Sequence, residues 1–127
     1  MTIQRIGPAY PTEDLPAAVA LLTAVLATEP TVVDGDRWAQ FDSNGVRVML
    51  AGTDRADDSP FLAIKVDDLD AALNRLRSKG FDAAQPVVGP HERRAALRPT
   101  PGSAWHIALY EPIGSGANPA DRPGTPR

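Results

Sequence analysis

The sequence predicts an α+β fold: two βαβββ modules joined into a curved, half-open mixed sheet, with the helices on the outer face. Three observations carry this. Phe61–Phe81, FLAIKVDDLDAALNRLRSKGF, runs from a strand-like stretch through two aspartates into a short amphipathic helix. The first half of the 127-residue chain holds a looser copy of the same order. In each half, short runs separated by turn residues follow the helix. Each half alone is a four-stranded sheet with a helix on one face. Pairing the halves would form a cup with helices outside and a cavity inside.

Thr2–Tyr10 reads as a strand interrupted by Gly7 and Pro8. Proline lacks the ladder donor, so an edge position or a bulge is expected. Asp14 is placed to cap a helix, and Pro16 is tolerated in its first turn. Leu15, Val19, Leu22, Val25 and Leu26 make the apolar stripe of that helix. Glu29-Pro30 stops it near Thr28, because the residue before proline avoids the α region. Thr31-Val32-Val33 is a short strand and Asp34-Gly35-Asp36 a turn. Arg37–Asp42 alternates, with Trp38, Gln40 and Asp42 on one face and Ala39 and Phe41 on the other. Ser43-Asn44-Gly45 is a hairpin turn, since Asn and Gly accept positive φ. Val46–Ala51 returns with Val46, Val48 and Leu50 on one face and Arg47, Met49 and Ala51 on the other. Gly52–Pro60, GTDRADDSP, reads as a polar linker between modules of about residues 1–57 and 58–113.

Phe61–Val66 opens the second module. Asp67 or Asp68 caps the helix, Asp70 favours its first turn, and Arg75, Arg77 and Lys79 favour its last. Leu69, Ala72, Leu73 and Leu76 form the buried stripe, and Gly80 is the natural stop. Asp82–Val88 is a short strand broken by Pro86, and Gly89-Pro90 turns the chain. Glu92–Arg98 is a strand, Pro99–Gly102 a turn, and Ala104–Tyr110 the last strand. On that strand Trp105, Ile107 and Leu109 share one face; His106, Ala108 and Tyr110 share the other. Gly114–Arg127 is rich in Gly and Pro and cannot bury enough apolar surface to offset ordering, so a disordered tail is expected.

A formal charge of -3 does not supply the basic surface of a nucleic-acid binder. Without cysteine, disulfides, thiolate nucleophiles and cysteine-based zinc sites are excluded. No apolar run approaches the roughly 20 residues of a membrane span. The N-terminus lacks an apolar signal core, so a cytoplasmic protein is expected. No serine or threonine stands beside a recognisable base. Gly114-Ser115-Gly116 has no following helix and does not read as a phosphate loop.

The segment FLAIKVDDLDAALNRLRSKGF, the ending RRAALRPTPGSAWHIALYEP and the hairpin FDSNGVRVMLA resemble the vicinal oxygen chelate superfamily. That superfamily includes glyoxalase I, bleomycin-resistance proteins, extradiol dioxygenases and methylmalonyl-CoA epimerase. The resemblance spans about residues 3–113. It implies a divalent metal on the cup floor, held by His, Gln or Glu from the first and last strands of each module. The matching positions here are Phe61, Ile6 or Gly7, Met49 or Ala51, and either His106 or Ala108. Gln4 reaches the site only with a further shift of register. His106 alone is a donor, so no metal and no cofactor are expected, and the Lewis-acid mechanism loses its electrophile.

Strand parity then assigns the cup face. If Phe41, Val46, Val48, Leu50, Leu62, Ile64, Val66, Leu97, Trp105, Ile107 and Leu109 face the helices, the cup is lined by the opposite set. The candidate ligand-binding residues are Trp38, Gln40, Arg47, Met49, Phe61, His106 and Tyr110, with Ala63 and Ala108 between them. Trp38, Phe61 and Tyr110 suit a flat ligand, and Arg47 an acidic group. Alternatively, these aromatics fill the cup themselves or plug a dimer interface. His106 is either a hydrogen-bonded structural histidine or a candidate catalytic base. His91 reads as a surface residue, Asp57-Asp58 as linker charges, and Glu92, Arg93 and Arg94 as a solvated face. Three functions stay open. The first is metal-free binding or sequestering of an aromatic or drug-like small molecule. The second is a lyase, isomerase or dioxygenase-type enzyme of the same superfamily with an atypical site. The third is an interaction module with a closed cup. A small-molecule ligand and a homodimer are the expected partners.

Overall fold

A computed structural model describes residues 2–113, and the expected tail Gly114–Arg127 lies outside the described residues. The first half runs β1 (Ile3–Pro11), α1 (Leu15–Leu26), β2 (Val32–Asp34), β3 (Trp38–Ser43) and β4 (Val46–Ala51). The second runs β5 (Phe61–Val66), α2 (Leu69–Ser78), β6 (Val87–Val88), β7 (Glu92–Leu97) and β8 (His106–Pro112). The strands form one mixed sheet in the order β2-β3-β4-β1-β5-β8-β7-β6, and its ends do not pair with each other. The α+β class and the repeated βαβββ order are therefore those the sequence predicts. Neither helix is long and apolar enough to cross a membrane.

By contacts the chain divides into two compact units. One is Ile6–Ala63 with Arg98–Ile107; the other gathers the residues up to Arg5, Ile64–Leu97 and the chain from Ala108 onward.

In the first of these, Asn44 (φ 52°) and Gly45 (φ 81°) make the two-residue loop that sets Ser43 opposite Val46. That register places Ala39, Phe41 and Leu50 on one face, where they pack with Leu15. Ala18, Val19, Leu22 and Leu26 of α1 close over this cluster. Asp14 accepts the Ala17 N–H at 3.1 Å, as a cap should. The helix ends two residues before the expected Thr28. Ala27 adopts a left-handed φ of 52°, and its N–H returns to the Thr23 carbonyl.

Of the edge position or bulge expected for the first strand, the edge position is overturned, because β1 stands between β4 and β5. Its parallel pairing with β4 begins just after Pro8, at Ala9 opposite Met49. Gly7 explains the close approach of the strands. A Cβ there would lie 2.7 Å from Met49 Cε and 3.3 Å from the Arg47 carbonyl oxygen.

In the second unit, Asp68 caps α2 by accepting the Ala71 N–H at 3.0 Å, while Asp67 accepts the Thr2 N–H at 2.6 Å. Leu69, Ala72 and Leu73 are buried, and Leu76 is half-buried. Gly80 at φ 89° stops the helix, with the Gly80 N–H on the Arg77 carbonyl and the Phe81 N–H on that of Leu76. The strand expected over Asp82–Val88 shrinks to Val87–Val88, paired with Arg94 and Arg93. Pro86 removes a ladder donor immediately before it.

The last strand begins at His106 rather than Ala104. The Ser103 hydroxyl holds both backbone groups of Trp105, accepting from its N–H and donating to its carbonyl. Trp105 therefore lies outside the strand and is 46% exposed, not on the helix face. Val46, also expected under a helix, is exposed beside the hairpin turn.

Candidate functional site

Trp38 lies opposite Ala51, Gln40 opposite Met49, and Asp42 opposite Arg47. Directly opposed residues share a face. Since α1 covers Ala39, Phe41 and Leu50, these six occupy the face turned away from the helix. Met49 is buried there against Gly7; Trp38, Gln40 and Arg47 are half-buried.

Arg47 has an internal partner. Its Nε donates to Asp42 Oδ1 at 2.7 Å and its Nη2 to Oδ2 at 3.1 Å. The Thr31 hydroxyl donates to the same carboxylate at 2.9 Å. The remaining nitrogen, Nη1, is buried and has no hydrogen-bond partner among the described residues. Such groups are rare in folded proteins, because an unsatisfied buried donor costs about 1–3 kcal/mol.

The aromatics continue from Trp38. Its ring centroid is 6.3 Å from that of Phe61, at 40°. Phe61 in turn stacks on His106, with centroids 5.0 Å apart and planes 20° apart. His106 is only 1% exposed. Tyr110 belongs to the other unit, half-buried on β8.

The segment read as a linker supplies the partners of His106. Ser59 Oγ lies 2.7 Å from His106 Nδ1 and donates to Asp57 Oδ1 at 2.6 Å. The Ser59 N–H reaches the same Oδ1 at 2.8 Å, and the Arg98 guanidinium contacts Oδ2. These contacts, the Ser59 bonds first and then Arg98, lower the Asp57 pKa from 3.8 to about 2. Burial lowers that of His106, against the pull of Asp57 and with the push of Arg98. The linker itself is folded down by Arg55, which bonds the carbonyls of Thr12 and Gly52 and pairs with Asp58 at 2.9 Å.

Asp57, Ser59 and Arg98 were not legible as site residues. The Asp-x-Ser spacing is a local turn signal, and it carries no information about a histidine 47 residues away.

The donor set does not fit the divalent ion that the resemblance implies. Phe61, Ile6, Gly7, Met49, Ala51 and Ala108 have no donor side chains, and His106 Nδ1 is engaged by Ser59. Among the described residues no three His, Asp or Glu side chains converge as such an ion requires.

No protein-family model matches the chain, and no curated protein does. Solved structures do. An NAD-dependent benzaldehyde dehydrogenase from Legionella pneumophila superposes with a TM-score of 0.73 at 13% identity, over 86% of this chain and 100% of that one. A glyoxalase/bleomycin resistance protein/dioxygenase superfamily member from Vibrio splendidus gives 0.58 at 17% identity, over 88% and 100%. Methylmalonyl-CoA epimerase from Mycobacterium tuberculosis gives 0.55 at 22% identity, over 88% of each chain. Identities this low establish a shared fold, and the fold is that of the vicinal oxygen chelate superfamily.

Proposed function

We propose, from this vicinal oxygen chelate fold, that the protein binds a small planar acid without a metal. One observation carries the reading: the buried, unpartnered Nη1 of Arg47 lies on the same sheet face as Trp38 and Gln40. The Arg47 side chain is 20% exposed; a ligand carboxylate that draws its guanidinium outward satisfies that nitrogen, and a ring stacks on Trp38. Four residues separate the Trp38 and Asp42 rows, about 13 Å at the usual strand rise. The reading therefore favours an elongated aromatic acid over a compact one.

Titration of tryptophan fluorescence with a panel of aromatic carboxylates and drug-like aromatics tests it. Saturable quenching is expected in the wild type and in Trp105→Phe, and its loss in Trp38→Phe. Arg47→Met is expected to weaken acids at least tenfold and their amides little. No quenching by any member of the panel overturns the reading.

A second reading is a lyase or isomerase that uses His106 as its base, and the Asp57–Ser59–His106 chain favours it. Turnover assays separate the two: product formation by the wild type that His106→Gln abolishes favours the enzyme, and bound ligand recovered unchanged from the wild type favours binding alone. The NAD chemistry of the Legionella protein does not transfer. Asp14 and Asp68 occupy the starts of the two helices, where a pyrophosphate would need unopposed N–H groups.

A further inference from the structure

The contacts of Asp57 and Ser59 decide which nitrogen of His106 carries its proton. A carboxylate only accepts hydrogen bonds. Asp57 Oδ1 lies 2.6 Å from Ser59 Oγ, a distance at which two lone pairs would repel. The hydroxyl proton therefore lies between those oxygens. Serine has no second hydroxyl proton, so Oγ meets Nδ1, 2.7 Å away, as an acceptor. Nδ1 must then supply the N–H. Arg98 on Oδ2 keeps Asp57 charged, and the stacked ring of Phe61 holds the imidazole plane. Burial favours the uncharged ring, which has one N–H and one lone pair. Among the described residues, no hydrogen bond reaches Nε2.

We propose, building on the binding reading above, that Asp57 and Ser59 lock His106 as its Nδ1–H tautomer, so that Nε2 accepts a hydroxyl or N–H of the ligand. The site then recognises a donor as well as an acid. With His106 almost wholly enclosed, that bond forms away from bulk water, where it is strong and selective. A ligand lacking the donor leaves a buried acceptor unpaired, and sites built this way discriminate sharply.

Long-range proton–nitrogen correlation spectra of the uniformly 15N-labelled full chain read the tautomer directly. His91, on an exposed turn, is the internal reference. At pH 7.5 the His106 pattern is expected to show a protonated Nδ1 and a bare Nε2. Ser59→Ala is expected to shift the population toward Nε2–H, and Ser59→Thr, which keeps the hydroxyl, to restore the wild-type pattern. If Ser59→Ala does not fold, the wild-type and Ser59→Thr spectra decide alone. A wild-type pattern with Nε2 protonated overturns the proposal.

The ligand half uses 4-hydroxycinnamate, whose phenol keeps its proton at this pH, and its methyl ether, 4-methoxycinnamate, as probes. At least tenfold tighter binding of the phenol, with a shift confined to Nε2, is expected. Equal binding overturns the donor preference while leaving the binding reading in place. No binding of either, with the Nδ1–H pattern present, refutes the ligand half together with that reading and upholds the tautomer.

Discussion

The Ser59 hydroxyl oxygen lies 2.7 Å from Nδ1 of His106, although 47 residues separate the two in the chain. The His106 backbone N–H also donates to the Pro60 carbonyl at 3.2 Å. A polar stretch with no strand or helix of its own is thereby fastened to the start of β8. Its acidic residue becomes the end of a hydrogen-bond chain.

That chain makes stability depend on acid in two steps. The folded pKa of His106 lies below the usual 6.5, so on acidification the unfolded chain takes up the proton first and stability falls below about that pH. Asp57, lowered from 3.8 to about 2, stabilises the fold above 3.8 and loses that contribution between those values. Asp67 and Asp70 are shifted in the same direction, but both are exposed and their effect is screened by salt. Urea unfolding from pH 7 to 2 is expected to show both declines. His106→Asn should remove the first and Asp57→Asn should shrink the second. A wild type that gains stability between pH 7 and 5 would contradict the assignment.

Gly52→Ala should be strongly destabilising. Its Cβ would lie 2.0 Å from the Asp36 carbonyl oxygen and 3.0 Å from the carbon, and backbone cannot step aside cheaply. The same carbonyls hold the segment, through Gly52 N–H to Arg37 and Thr53 N–H to Asp36. A loss of about 2 kcal/mol or more is expected. Gly89→Ala, whose nearest contact is 3.4 Å, is the control and should change stability by less than about 0.5 kcal/mol.

Ala27→Gly should stabilise. Alanine at φ 52° carries the left-handed penalty of about 1–2 kcal/mol, partly offset by the greater unfolded-state freedom of glycine. A net gain near 0.5 kcal/mol, or about 2–4 °C in Tm, is the expected result. A lower Tm would show that the residue's methyl group is needed in packing.

Arg47→Met should leave stability within about 1 kcal/mol of wild type. The ion pair it removes is partly exposed, at 20% and 35% for the two side chains, and such pairs contribute little. The substitution also removes the unsatisfied Nη1. A loss above about 3 kcal/mol by urea midpoint would make Arg47 a structural residue and weaken its assignment to a ligand.

The elements written by local chemistry were legible. α2 carries its cap, stripe and stop within the stretch from Asp68 to Gly80, so its period and its ends agree. The β3–β4 register follows from Asn44-Gly45, because a two-residue loop admits one pairing. Strand parity alone assigns Trp38, Gln40, Arg47 and Met49 to a common face.

What local rules missed was decided by neighbours distant in sequence. Pro8 argues for an edge strand or a bulge, yet β1 is interior, since pairing with β4 needs only the N–H groups after it and Gly7 lets the strands close up. Asp57-Asp58 reads as linker charge, yet Ser59, Arg98 and His106 meet around Asp57. Composition, period and turn chemistry alone thus determined the two sheet-and-helix halves and which side chains share a face, because those depend on residues a few positions apart. Only tertiary structure decided that the linker completes the histidine's surroundings and that one nitrogen of Arg47 has no partner among the described residues, because hydrogen bonding is a matter of distance in space and not of spacing along the chain.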